Sequence, residues 1–209
     1  MSKERRSGSL GEYRRKRDFR RTSEPKGEPG RQSREPRFVI QQHDATSLHY
    51  DFRIEVGGVL KSWAVPKGLS TDPREKRLAI ATEDHPLEYA EFEGVIPEGE
   101  YGAGPVLIWD AGTYENAAAS DEDGEQPSID ESLKKGHVVV RLHGKKLKGA
   151  FALQRIAKDD PGRWIIVKVK DDGADARRKP VRTQPESVVS GRTIDEIREQ
   201  ESNEEGGES

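Results

Sequence analysis

From Phe38 onward the chain is written as short alternating runs separated by glycine and proline, and this pattern limits the fold more than any other feature. Eight runs read as strands: 37–42 (RFVIQQ), 47–56 (SLHYDFRIEV), 59–65 (VLKSWAV), 77–82 (RLAIAT), 105–110 (PVLIWD), 137–142 (HVVVRL), 148–154 (KGAFALQ) and 163–170 (RWIIVKVK). Gly57-Gly58 between the second and third runs reads as a two-residue hairpin turn. Long amphipathic helix patterns are scarce, and the best candidate lies around 193–201. So many short strands with few helices predict a mainly β protein, a compact antiparallel barrel, because closure removes the exposed sheet edges.

Such a barrel accounts for only part of the chain. Hydrophobic residues are 31% and charged residues 36% of 209, against about 25% charged in an average domain. The surplus charge must stay solvated. Residues 1–37 hold 13 Lys or Arg and 6 Asp or Glu, whereas 192–209 hold 2 and 7. The organisation predicted is a basic N-terminal arm over 1–36, partly disordered and able to cover a site, a barrel over 37–171, and a polar linker with an acidic tail over 172–209. The stretch 115–132 has seven acids and no base and reads as a surface loop. Cysteine is absent, which excludes disulfides and thiolate metal sites, so any metal is held by nitrogen and oxygen. No apolar run approaches the roughly 20 residues that cross a bilayer, and no signal core opens the chain, so a soluble cytoplasmic protein without a membrane partner is expected.

The run 47–56 carries the chemistry. With period two, Tyr50, Phe52, Ile54 and Val56 share one face and His49, Asp51, Arg53 and Glu55 the other. The apolar set must face the barrel interior, leaving imidazole, carboxylate and guanidinium in register outside. His43, six residues before His49, can return to the same face through a turn at Asp44-Ala45-Thr46. Two His and one Asp make a facial site for a divalent ion with positions left open. Manganese suits that set, and zinc and iron are compatible with it. Arg53 beside the ion can clamp a tetrahedral oxyanion with parallel hydrogen bonds, which points to phosphoryl chemistry. His85 and Tyr89, in EDHPLEYAEFEG, are the next candidates, and Pro86 keeps His85 out of a helix. Lys67 and Arg77 are weaker phosphate-contact candidates at turns. Trp63, Trp109 and Trp164 read as core, and His137 and His143 as non-ligands.

These residues sit in blocks that are recognisable together. FVIQQHDATSLHYDFRIEVGGVLKSWAVPKG and LAIATEDHPLEYAEFEGVIPEGEYGAGPVLIWDAGTYE closely resemble the phosphoesterase domain of bacterial ligase D, and the likeness extends over about residues 10–190. The resemblance implies a compact β-barrel with its site in a groove on the outer wall. It implies a manganese-dependent enzyme acting on DNA 3′ ends, which removes a terminal ribonucleoside to leave a 3′-phosphate and then hydrolyses that phosphate to a 3′-hydroxyl for end joining. Metal ligation carries over to His43, His49 and Asp51, and phosphate binding and catalysis to Arg53, His85 and Tyr89. Gln41, Lys67 and Arg77 match supporting positions, and KRDFRRTSEP resembles the family's arm, which brings in Arg17, Asp18 and Glu24. Ligase D commonly carries ligase and polymerase modules that 209 residues cannot hold. The resemblance is therefore to a stand-alone form whose ligase partner is separately encoded. Two other readings stay open on the residues alone: a non-catalytic module that binds DNA ends and recruits a ligase, and an oxygen-using iron enzyme on a cupin-like barrel.

Overall fold

A computed structural model describes residues 10–28, 30–31, 33–120, 122–157 and 159–205. The first basic cluster of the arm, around Arg5 and Arg6, lies outside the described residues, as do 206–209 of the acidic tail. Nine strands form: β1 (Arg37–Asp44), β2 (Leu48–Val56), β3 (Val59–Val65), β4 (Arg77–Ala81), β5 (Gly94–Ile96), β6 (Gly104–Asn116), β7 (His137–Gly144), β8 (Lys148–Arg155) and β9 (Arg163–Lys168). The order β1-β2-β3-β4-β9-β8-β7-β6 closes on itself through a β1–β6 pairing, every neighbour antiparallel. This is the expected barrel of eight strands. β5 is a ninth strand laid along β6, Gly94 opposite Val106. Its three residues are too few to show alternation, and the glycines around it read only as turns.

The stretch 115–132 departs from the sequence expectation at both ends. β6 continues to Asn116, and α2 (Ile129–Lys135) begins at Ser128. The Ser128 side chain accepts the Glu131 N–H while Glu131 reaches back to the Ser128 N–H, a reciprocal cap that starts the helix, and Ile129 and Leu133 then pack against the barrel core. The other helices are α1 (Gly11–Arg15), α3 (Pro180–Thr183) and α4 (Ile194–Glu205), with a 3₁₀ turn over Leu87–Glu91. None of the described helices is long and apolar enough to cross a membrane.

Alternation sorts the barrel wall into two cores. Phe38 and Ile40 of β1, Tyr50, Phe52, Ile54 and Val56 of β2, and Leu107 and Trp109 of β6 point inward, where Trp63 and Trp164 join them. Val39, Leu60, Val106 and Ile108 point outward into a second cluster with Tyr13, Tyr89, Phe92 and Ile96. The outer wall is therefore not a solvated face. Residues 10–28 of the arm and the segment 83–103 pack across it, with Leu10 and Tyr13 fully buried at about 1.5–3 kcal/mol for a large apolar side chain. The β2–β3 hairpin holds the arm's far end. Gly57 and Gly58 take φ +62° and +85°, as a two-residue turn requires, and the Gly30 N–H donates to the Gly58 carbonyl at 2.8 Å. A Cβ on Gly58 would stand 1.9 Å from the Gly30 oxygen, so only glycine lets the arm cross here.

After β9 the chain returns to β6. Trp109 donates its indole N–H to the Gln184 carbonyl at 2.8 Å, and the Val188 N–H bonds the Ile108 carbonyl at 2.9 Å. Ile197 of α4 is buried in the barrel core cluster.

Candidate functional site

β1 and β2 pair with His43 opposite His49, Gln41 opposite Asp51 and Val39 opposite Arg53. One short turn therefore brings both imidazoles to the same outer face, their ring centroids 4.9 Å apart. Each ring is oriented from behind by a backbone carbonyl. The Ser47 oxygen lies 2.8 Å from His49 Nδ1, and the Gly102 oxygen lies 2.7 Å from His43 Nε2. A carbonyl only accepts, so those nitrogens carry the protons and the lone pairs of His49 Nε2 and His43 Nδ1 are left facing inward. They stand 3.7 and 3.6 Å from the two oxygens of Asp51. One ligand atom from each of His43, His49 and Asp51 lies within 4.8 Å of the others, a donor set of two neutral nitrogens and one carboxylate that fits a divalent transition ion.

Behind this triad a buried guanidinium is held by two acceptor side chains and stands against His85. Arg53 Nη2 donates to Asp51 at 2.9 Å, Nε donates to the Gln41 side-chain oxygen at 2.7 Å, and Nη1 lies 3.0 Å from His85 Nδ1. Gln41 in turn donates to the carbonyls of Tyr89 and Phe92, which ties β1 to the 3₁₀ turn. Burial opposes the charged form of Asp51, yet the Arg53 guanidinium outweighs it and holds the carboxyl well below its usual range.

His85 reaches the site because its backbone exchanges both hydrogen bonds with Leu60 of β3, after which Pro86 turns the chain into the 3₁₀ helix. The Glu83 carbonyl lies 2.9 Å from His85 Nδ1, and Arg17 Nη2 lies 3.4 Å from Nε2. Burial, followed by the Arg53 and Arg17 charges, pushes the imidazole well below its ordinary value, so the resting ring is neutral at pH 7. Tyr89 is fully packed against it at 4.7 Å between rings, and burial drives its phenol well above the usual value, so its O–H donates, here to Glu24 at 3.0 Å.

The arm closes the far wall. Arg17 binds Glu24 at 2.8 Å and Glu83 at 3.1 Å, and its guanidinium lies 3.9 Å from the Tyr13 ring centroid. The result is a cavity of about 300 Å³ lined by Arg17, His43, His49, Asp51, Arg53, His85 and Tyr89. Thr82 also lines it, with a buried hydroxyl oxygen that has no hydrogen-bond partner among the described residues. Gln41 and Glu24 stand immediately behind these groups. Three residues singled out in the sequence stand elsewhere. Asp18 pairs with Arg20 at 2.9 Å on the exposed side of the arm, and Lys67 and Arg77 line a separate depression.

Several site groups escape a reading of the sequence. Glu83 is buried and takes Arg17 and Lys16, and only its spacing of two from His85 hints at a shared face. Tyr13 and the Gly102 carbonyl carry no local signal, because the arm and the 97–103 loop meet the wall from distant parts of the chain. Tyr101, half exposed at the cavity mouth, sits beneath Lys16 Nζ, 4.6 Å from its ring centroid.

The neutral state of His85 has a measurable consequence. A histidine with a folded value below its unfolded value of about 6.5 binds fewer protons in the native state, so stability falls as pH drops below that point. Asp51 and Glu83 are held low and respond only in more acidic solution. Between pH 6.5 and 5, urea unfolding of the wild type is expected to lose stability faster than that of His85→Gln. Parallel loss in the two proteins would rule out His85 as the source.

Residues 41–155 match the family described as the DNA ligase D 3′-phosphoesterase domain. The multifunctional non-homologous end joining protein LigD of Pseudomonas aeruginosa is 47% identical over 193 residues, which cover 90% of this chain and 22% of that protein. The multifunctional non-homologous end joining DNA repair protein LigD of Mycobacterium tuberculosis is 47% identical over 166 residues, 78% of this chain and 20% of that protein. That of Mycolicibacterium smegmatis is 44% identical over 163 residues, again 78% of this chain and 21% of that protein. The chain thus spans about a fifth of the length of these relatives. The matched segment runs through more than half of the residues and contains both imidazoles, Asp51, Arg53, His85 and Tyr89, and the chain belongs to the DNA ligase D 3′-phosphoesterase domain family.

Proposed function

We propose that this chain is a manganese-dependent hydrolase of DNA 3′ ends, which removes a 3′-terminal ribonucleoside and then the 3′-phosphate left behind. The observation that carries this reading is the convergence of His43 Nδ1, His49 Nε2 and Asp51 beside a buried, already oriented Arg53. Family membership supports hydrolysis of a phosphate ester, and the names of the relatives support a place in end joining.

A divalent ion held by His43, His49 and Asp51 would polarise the phosphate and lower the pKa of a bound water toward neutrality. The remaining work belongs to the chain. In the diesterase step an oxygen–phosphorus bond forms from water and the bond to the 5′ oxygen of the terminal nucleoside breaks. In the monoesterase step the bond to the primer's 3′ oxygen breaks and inorganic phosphate leaves. Both leaving oxygens need a proton. An entering phosphate brings negative charge between Arg53 and Arg17, which counters the two cations that add to burial in holding His85 low. His85 then rises toward its ordinary value and can hand a proton to the departing oxygen. Arg53 and Arg17 hold the phosphoryl oxygens, already oriented by Gln41 and by Glu24 and Glu83, so little reorganisation accompanies the rise in charge. Tyr89, held as a donor, adds a hydrogen bond, and the unpartnered Thr82 hydroxyl is placed to meet a sugar hydroxyl.

The test is a 5′-labelled primer–template carrying one 3′-terminal ribonucleotide, incubated with manganese, zinc, iron or EDTA. The expected products are first a 3′-phosphate primer and then a 3′-hydroxyl primer that a separately encoded DNA ligase can seal, with no product in EDTA. Tight binding without cleavage under every metal would favour the end-binding module instead, and iron-dependent oxygen consumption would favour the oxygenase.

A further inference from the structure

Lys67 and Arg77 stand apart from the cavity, but they do not stand alone. They line a depression of about 190 Å³ together with Arg178, Lys179 and Arg182, over an apolar floor that includes Leu69 and Val181. No acidic side chain lines it. Glu75 pairs with Arg77 at 2.6 Å and Lys179 at 3.1 Å, and Asp72 also acts on Lys179, so the five cations are offset in part by carboxylates outside the depression. Lys67 and Arg182 are exposed and have no ion pair among the described residues. Arg178 also lines a second depression, where Arg141, Lys145, Lys146 and Lys148 outnumber Asp172 and Asp175, so a net positive surface continues around the barrel.

This surface is joined to the cavity by two strands. Gly68 is wedged where a Cβ would stand 2.8 Å from Val181 and 3.0 Å from the inward-facing Tyr50 ring, which seats α3 against the core side of β2, the strand whose other face carries His49 and Asp51. Arg77 opens β4, and Thr82, just past its end, lines the cavity. Five residues of extended chain span about 17 Å. At about 3.4 Å per base pair, that distance is about five pairs of duplex.

We infer that the band of Lys67, Arg77, Arg178, Lys179 and Arg182 takes the phosphodiester backbone of the duplex about five base pairs behind the 3′ end that enters the cavity. The inference rests on the functional reading above and adds the duplex track to it. Guanidinium and ammonium groups around a shallow depression make salt-sensitive, sequence-independent contacts with phosphates, and such contacts set register without reading bases. A terminal phosphate in the cavity and backbone phosphates on the band would then hold the end at two separated points.

The experiment compares a 3′-phosphorylated DNA hairpin with a 12-base-pair stem and a 3′-phosphorylated dinucleotide too short to reach the band. The variants are Arg178→Ala/Arg182→Ala and the single exposed charge reversal Arg182→Glu, each checked by thermal melting. For the hairpin, KM is expected to rise about tenfold at 150 mM salt with kcat unchanged. The slope of log affinity against log salt, from fluorescence anisotropy, should fall by about two in the double variant. For the dinucleotide, both constants stay as in the wild type. An unchanged hairpin KM and salt slope overturns the inference, and so does an equal loss on hairpin and dinucleotide, which would assign the arginines to support of the cavity. If the wild type hydrolyses neither substrate, the functional reading fails, and the salt slope still decides the band.

Discussion

His49→Ala is expected to abolish manganese-dependent hydrolysis while leaving the fold intact. Loss of a partner that merely orients a metal ligand costs about 10–100-fold, so loss of the ligand itself should exceed 100-fold. His49 is the most accessible member of the triad, with a side chain 20% exposed against 8% for Asp51, and among the described residues its ring hydrogen-bonds only to the Ser47 carbonyl. Its removal should therefore shift thermal unfolding little in EDTA. In manganese the wild type should gain stability by mass action, because the ion binds only the native triad, and His49→Ala should not. Full manganese-dependent turnover by His49→Ala would end the case for the triad.

The second large effect falls on Arg53. Arg53→Ala should lower stability by about 3–5 kcal/mol, the range for breaking a buried charge pair from one side. Three losses coincide. Asp51 keeps a buried carboxylate without its guanidinium, the Gln41 oxygen loses its donor, and the cavity loses the guanidinium proposed to hold phosphate. Arg53→Lys separates the contributions. An ammonium restores one charge contact but cannot reach Asp51, Gln41 and the His85 side at once, so stability should recover in part while turnover stays low. Urea denaturation alongside primer hydrolysis gives both quantities. A stability change under 1 kcal/mol in Arg53→Ala would mean that Asp51 finds adequate compensation from His43 and His49 alone.

The legible part of the site lies on two adjacent strands. Period two put His49, Asp51 and Arg53 on one face of β2, and a turn of three residues allowed His43 to join them, because a short hairpin leaves little freedom in register. β5 was not legible, since three residues cannot display a period. The helix α2 was masked by acidity, which marks solvent exposure and not the absence of structure. The arm was recognisable by its charge and its resemblance, but charge alone does not say where an arm lies. Tyr13 supplies the buried anchor, and its partners are the 3₁₀ turn and His85, about 70 residues away in the chain.

By itself, then, the sequence determined the eight barrel strands, the inward and outward faces, and the set of ligand types that a turn would bring together. These follow from backbone periodicity and short-range connection, which act within a few residues. Only the tertiary structure decided that the outward face is buried, that His85 rests neutral between two guanidiniums, and that Lys67 and Arg77 join a basic band with residues beyond the barrel. Each of those depends on which distant segments displace water from a given side chain. Solvent exclusion and local charge are sums over everything nearby in space, and no spacing along the chain encodes that sum.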